Sequence, residues 1–199
     1  LFPYTTLFRS KNIRELELSE KDTIYLKEFQ FLTIKKIIYV ANISENDINQ
    51  PNENVNKVKA FAEQTNNSTI VLCSKLESEL AQLSEEEASE YLSEYNLSES
   101  GLDQLSRSCY QLLDLQTYLT TGEKETRAWT IQIGTKAPQA AGVIHTDFEK
   151  GFIKANIIPF DTFVECNGWK EAKEKGLIRQ EGKDYVMKDG DVVEFLFNV

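Results

Sequence analysis

Two short polar segments carry residue types able to meet a ligand. The run Lys36-Ile37-Ile38-Tyr39-Val40-Ala41-Asn42-Ile43-Ser44-Glu45 is apolar and rich in β-branched residues until it breaks into an Asn-Ile-Ser-Glu turn. Such a run predicts a strand buried on both faces. In open α/β sheets ligands sit outside the carboxyl ends of parallel strands, so Asn42 and Glu45, an amide and a carboxylate, would stand within reach of one. The second segment, Cys73-Ser74-Lys75, follows the short apolar run Thr69-Ile70-Val71-Leu72. His145 is the sole histidine and lies near Asp147, yet no serine or cysteine nucleophile stands at an evident spacing from it. It reads as a structural or recognition residue, not a general base. Glu85, Glu86 and Glu87 after Ser84 read as a solvated helix start and not as a metal site.

The elements needed to position these residues follow from periodicity. Ser19 with Asp22 resembles a capping box for a helix from about residue 20 to 31 that feeds the strand at Lys36. After Glu45 a polar turn leads to a helix with Val55, Val58, Phe61 and Ala62 on one face, ended by Asn66-Asn67-Ser68. Ile37 to Cys73 is then one β-α-β unit. Its right-handed crossover makes the strands parallel, which brings Asn42 to Glu45 near Cys73-Ser74-Lys75. Ser84 with Glu87 forms a second capping box for a helix to about Tyr95. Another helix starts near Ser100, with Leu102, Leu105, Cys109 and Leu112 on a stripe that makes Cys109 a small buried hydrophobe.

Beyond Leu113 the period changes. Leu115 to Thr120, Arg127 to Ile133, Phe152 to Ile158, Tyr185 to Met187 and Val192 to Phe197 read as strands, with Gly122 in a hairpin loop. Pro138-Gln139-Ala140-Ala141 starts a short helix, Trp169 to Lys175 forms another stopped by Gly176, and Lys188-Asp189-Gly190-Asp191 makes the last turn. Four or five short strands with one or two small helices in about 85 residues resemble a β-grasp, ubiquitin-like module. This change of period places a domain boundary near Asp114.

Bulk properties narrow the class. The net charge of −10 over 199 residues is uneven, with acids far outnumbering Lys57, Lys59 and Lys75 between Glu45 and Asp103. Neither half is a basic nucleic-acid patch by composition, and no DNA partner is expected. Cys73, Cys109 and Cys166 lie far apart without paired spacing, which argues against a disulfide framework or a zinc site and suits a reducing cytoplasm. No apolar run approaches the roughly 18 residues that span a bilayer, so no membrane partner is expected. Leu1 to Ser10 has no charged n-region and no small-residue cleavage site, and looks like the in-frame translation of a sequencing-library adapter. On that reading residues 1–10 are not natural and the protein continues upstream of Lys11.

Four segments together carry a family resemblance. They are Tyr39 to Glu45, Arg127-Ala128-Trp129-Thr130, the long run Gly134-Thr135-Lys136-Ala137-Pro138-Gln139-Ala140-Ala141-Gly142-Val143-Ile144-His145-Thr146-Asp147-Phe148-Glu149-Lys150-Gly151-Phe152, and the closing Phe197-Asn198-Val199. They resemble the carboxyl-terminal part of the Obg-like ATPase (YchF) family of translation-factor-related P-loop NTPases. The resemblance implies an α/β fold: an incomplete P-loop NTPase (Rossmann-like) parallel sheet over 11–113, with the end of a helical insertion, then a β-grasp TGS domain over 114–199.

For chemistry, the resemblance implies a base-reading turn. Most GTPases of this class read guanine with Asn-Lys-x-Asp, whose carboxylate accepts from N1–H and the exocyclic amine. Here the turn is Asn42-Ile43-Ser44-Glu45, and adenine offers neither donor to a carboxylate at that edge. The resemblance therefore implies ATP preference, with nucleotide-binding residues Asn42, Ile43, Glu45, Cys73 and Ser74, and with Glu45 no longer acting as the guanine carboxylate. No G-x-x-x-x-G-K-[ST] run exists in the sequence, so no catalytic or metal-binding residue is expected here. ATP and Mg2+ would belong to the intact parent, an ATP hydrolase, and neither would bind this chain tightly. The family further implies a ribosome or ribosomal RNA partner met through the TGS domain, for which Lys136, Lys150, Lys154 and Lys170 to Lys175 are candidates. Trp129, Trp169 and Tyr185 are core aromatics before they are stacking platforms. The alternative is a noncatalytic TGS-type module that binds RNA, the ribosome or a protein.

Overall fold

The computed structural model describes residues 12–50, 52–122 and 125–198. Leu1 to Ser10, read above as adapter-derived, and the closing Val199 lie outside the described residues. The chain divides into two compact units between Cys109 and Tyr110.

The first unit opens with helix α1 (Glu20–Glu28), which ends three residues short of the expected limit. Its capping box is present: Ser19 N–H donates to Asp22 Oδ2 at 3.2 Å and Asp22 N–H to Ser19 Oγ at 3.2 Å. Strands β1 (Ile38–Asn42) and β2 (Ser68–Leu72) pair in parallel, with Ile38 opposite Ser68 and Asn42 opposite Leu72. Helix α2 (Glu53–Gln64) makes the crossover, and the Asn52 side chain caps it by accepting from the Asn54 and Val55 amides. The β-α-β unit is therefore as expected. Burial of β1 on both faces is not: Val40 is 44% exposed, because the sheet has two strands and α2 covers it from one side. On α2, Val55 and Ala62 are buried, whereas Phe61 lies open and meets Tyr39 edge-on.

Helices α3 (Ser74–Leu80), α4 (Glu85–Glu94) and α5 (Gly101–Leu112) follow. Ser84 and Glu87 form the expected capping box for α4. The helix closes in a Schellman motif: Asn96 adopts φ +57°, and the Leu97 N–H reaches Leu92 O at 3.0 Å. Cys73, Leu76 and Leu80 make a core against Ile43, Ile48, Tyr91, Leu92 and Tyr95. The apolar stripe expected on α5 is not buried. Leu102 is 51% exposed and Cys109 only partly covered, so Cys109 is no core hydrophobe.

In the second unit β3 (Leu115–Thr121), β4 (Thr126–Gln132), β5 (Phe152–Pro159), β6 (Arg179–Glu181) and β7 (Asp191–Phe197) form one sheet in the order β4-β3-β7-β5-β6. The two central strands β3 and β7 run parallel and the other pairs antiparallel. This is the β-grasp order. One face buries Tyr118, Ile131, Ala155, Ile157 and Val193 beneath α6 (Ala137–Ile144) and α7 (Thr146–Lys150). The other buries Ile158 and Val192 beneath α8 (Phe160–Glu165) and α9 (Trp169–Glu174).

Tyr185 to Met187, expected as a strand, makes only an isolated bridge from Val186 to Lys136, and the edge strand is Arg179–Glu181 instead. The Met187 N–H to Thr135 O and Ala137 N–H to Tyr185 O bonds make that one bridge, while the Tyr185 N–H turns back to Gly182 O. The closing turn is held as its composition requires. Gly190 takes φ +75° and donates to Thr117 O, while Asp189 Oδ1 accepts the Thr117 N–H at 2.8 Å.

Candidate functional site

The parallel pairing sets the ends of β1 and β2 side by side, and the turn after β1 meets the first turn of α3. The Ile43 N–H donates to Leu72 O at 2.9 Å. Asn42 Oδ1 then accepts from both the Ser74 N–H and the Ser74 hydroxyl, each at 3.0 Å. One side chain thus ties the two strand ends and fills its own acceptor. Its Nδ2 group carries no protein bond among the described residues and remains a donor for a ligand.

Glu45 opens a single 3₁₀ turn (Glu45–Asp47), which the Ser44 hydroxyl supports by donating to Asp47 Oδ2 at 2.7 Å. Both of its carboxylate oxygens are taken. Lys75 Nζ donates to Oε2 at 2.5 Å and the Tyr95 hydroxyl to Oε1 at 2.5 Å. The Lys75 bond first, and then the Tyr95 bond, hold the Glu45 carboxyl below its ordinary value. The same contacts raise Lys75, and the Glu45 bond raises Tyr95. Around this pair Tyr91 donates to Glu79 Oε2 at 2.6 Å and meets Tyr95 edge-on at 5.5 Å.

The other expected site residues are placed as follows. The Cys73 side chain is buried among Leu76 and Leu80, so only its backbone faces the strand ends. The Ser74 amide is committed to Asn42. Asn42, Ile43, Glu45, Cys73 and Ser74 are brought into one neighbourhood, with Lys75.

Sequence reasoning missed Tyr95, because it lies 50 residues from Glu45 and carries no spacing signal. It also missed the support beneath the site. Glu77, 8% exposed, accepts the Gly101 N–H on Oε1 at 2.8 Å and the Leu102 N–H on Oε2 at 3.2 Å, capping α5 from inside the core. A Cβ on Gly101 would stand 2.5 Å from Leu72 Cβ, so only glycine lets α5 begin against the end of β2.

His145 caps α7 by accepting the Asp147 N–H on Nδ1 at 3.2 Å, a structural duty. Trp129 packs on the core and donates to Thr120 Oγ1, with the Arg127 guanidinium 4.1 Å from its ring. Trp169 donates to Thr121 O. Tyr185 donates to the buried Asp191, and burial first, then that bond, pushes the Tyr185 hydroxyl up to about 12. Lys136 pairs with Asp184 and Lys154 with Gln180. Among the described residues no three His, Cys, Asp or Glu side chains group so as to hold a metal ion.

Comparison with known proteins bears on this arrangement. Residues 115–198 match a family model named YchF-GTPase_C, described as a protein of unknown function (DUF933). The chain is 48% identical over 191 residues to the Bacillus subtilis (strain 168) ribosome-binding ATPase YchF, covering 95% of this chain and 52% of that protein. It belongs to the Obg-like ATPase (YchF) family. The YchF protein of Escherichia coli O157:H7, also named a ribosome-binding ATPase, is 46% identical over 94% of this chain and 51% of its own length. A solved structure of the Schizosaccharomyces pombe YchF GTPase superposes with a TM-score of 0.82 at 34% identity, covering 97% of this chain and 52% of that one. The chain thus spans about half the length of the YchF relatives it matches, 52% and 51% for the two bacterial proteins. Its α/β fold, a parallel β-α-β unit followed by a mixed sheet, is that of the family.

Proposed function

We propose that residues 11–199 supply the base-reading turn and a TGS-type β-grasp domain to a ribosome-associated, Mg2+-dependent ATP hydrolase of the cytoplasm. The observation that carries this reading is the exposed Asn42 side chain at the strand ends, with its acceptor filled by Ser74 and its Nδ2 donor given no protein partner among the described residues. An amide donor there suits the N7 acceptor of a purine. Since adenine and guanine share N7, Asn42 recognises the purine and leaves the choice between them to the other edges of the ring. Ile43 lies at the base, the Cys73 and Ser74 backbone closes the site, and Glu45 takes no part as a guanine carboxylate.

Hydrolysis belongs to the phosphate side. Positioning and charge neutralisation around the γ-phosphate carry nearly all catalysis in this reaction class, and these come from a P-loop and its Mg2+. The sequence contains no such run, so the chain by itself is proposed to be inactive. The β-grasp domain would meet the ribosome or ribosomal RNA. The names of the bacterial relatives, ribosome-binding ATPases, support that partner. Asn42→Ala provides the test. It should abolish the amide shifts that millimolar adenosine induces at Ile43 and Ser74 while leaving the helical circular dichroism intact; retention of those shifts would refute the reading.

A further inference from the structure

Glu45 stands three residues after Asn42, the spacing at which an Asn-Lys-x-Asp turn presents its carboxylate to guanine. Its side chain is one methylene longer than aspartate, so reach does not keep it from a base. What keeps it away is visible. Lys75, from the first turn of α3, and Tyr95, the C-cap of α4, each engage one carboxylate oxygen. Both partners are themselves fixed. The Schellman end of α4 sets the Tyr95 backbone, the Tyr91 ring packs edge-on to its ring, and Glu79 lies 3.8 Å from the Lys75 ammonium. Three side chains from three elements thus converge, and each carboxylate oxygen is drawn to a donor of the protein's own.

We propose that Lys75 and Tyr95 are specificity-determining positioning residues: by engaging both Glu45 oxygens they withhold the carboxylate from the base and so exclude guanine. The inference rests on the base-site reading above. Guanine presents N1–H and an exocyclic amine that need an acceptor once that edge is desolvated, and without one they stay unpaired. Adenine presents an acceptor at N1 and gains nothing from a carboxylate. The identity of the turn residue is therefore only half of the selectivity. The other half is the pair of donors that hold it.

The test is a titration of the full 199-residue chain with adenosine and with guanosine, followed by amide shifts in the first unit. The chains compared are the unmutated protein, Lys75→Met with Tyr95→Phe, and that pair combined with Glu45→Gln. Methionine keeps the stem of Lys75 and phenylalanine keeps the ring of Tyr95, so the packing stays. The guanosine-to-adenosine affinity ratio should rise about tenfold in the double variant, the discrimination typical of one paired base edge. Adding Glu45→Gln should abolish the gain, because a neutral amide cannot accept both guanine donors; a merely structural role would not depend on that charge. A ratio unchanged within about twofold in the folded double variant overturns the inference. If the double variant does not fold, Tyr95→Phe alone carries the test, with a rise of about threefold expected and no rise overturning it. Absence of any adenosine response in the unmutated chain overturns the base-site reading itself, an outcome distinct from an adenosine response with unchanged selectivity.

Discussion

Glu77→Ala isolates the buried support beneath the strand ends. The substitution removes the acceptor of the Gly101 and Leu102 amides, two of the orphan donors at the start of α5. A hydrogen bond to a charged acceptor contributes about 1.5–3 kcal/mol, and a carboxylate at a helix N-terminus adds about 0.3–1 kcal/mol. The Gly101 amide is buried, so the lost acceptor leaves it unpaired. The expected loss is therefore about 2–3 kcal/mol for Glu77→Ala and about half that for Glu77→Gln, which keeps a neutral acceptor. Amide exchange within α5 should accelerate about 30- to 150-fold in the alanine variant. Trp129 and Trp169 both lie in the second unit, so their fluorescence reports that unit, and its urea midpoint should hardly move. Exchange faster by less than about threefold, or a tryptophan transition that shifts as far as the exchange implies, would refute the reasoning.

In Gly151→Ala the new Cβ would stand 2.0 Å from Asn198 O, so the second unit should lose at least about 2 kcal/mol, read as a lower urea midpoint of tryptophan fluorescence. Tyr118→Phe removes the hydroxyl that donates to Ala140 O at 2.8 Å inside the core and should cost about 1 kcal/mol in the same assay. Glu45 titrates below the ordinary glutamate value of 4.5, so its contribution is complete above that pH and is lost as pH falls through the lowered value. The Ile43 and Tyr95 amide shifts should accordingly be flat from neutrality down to about pH 4.5 and move below it, and Glu45→Gln should flatten that acid limb. Calorimetry with ATP should give no sub-millimolar affinity for this chain; a tighter constant would contradict the assignment of the phosphate side to a P-loop.

The two segments that carry the site were legible because β-branched runs, turn residues and caps act locally. Parallel pairing follows from one crossover helix, and it predicts Asn42 to Glu45 near Cys73-Ser74-Lys75. The burial of β1 was overestimated because periodicity reports which residues are apolar and not how many layers cover them. The α5 stripe failed for the same reason. Tyr95 and Glu77 were invisible because their partners are long-range and polar, and nothing in a chain's spacing announces that a tyrosine will close on a carboxylate from another element. In the second unit the strand at Tyr185 was misread where apolar residues serve a turn and a single bridge. The sheet order emerged only from the pairing.

The preference proposed for the turn Asn42 to Glu45 is adenine over guanine, with Asn42 on the purine N7 and Glu45 held away from the base. Its most direct measurement is a parallel titration of the isotopically labelled chain with adenosine and with guanosine, recorded as backbone amide spectra. Shifts at Ile43, Ser74 and Lys75 with adenosine, with the β-grasp amides unmoved and guanosine weaker by about tenfold, are the predicted result. Equal response to both nucleosides, or shifts confined to residues beyond Tyr110, would contradict it.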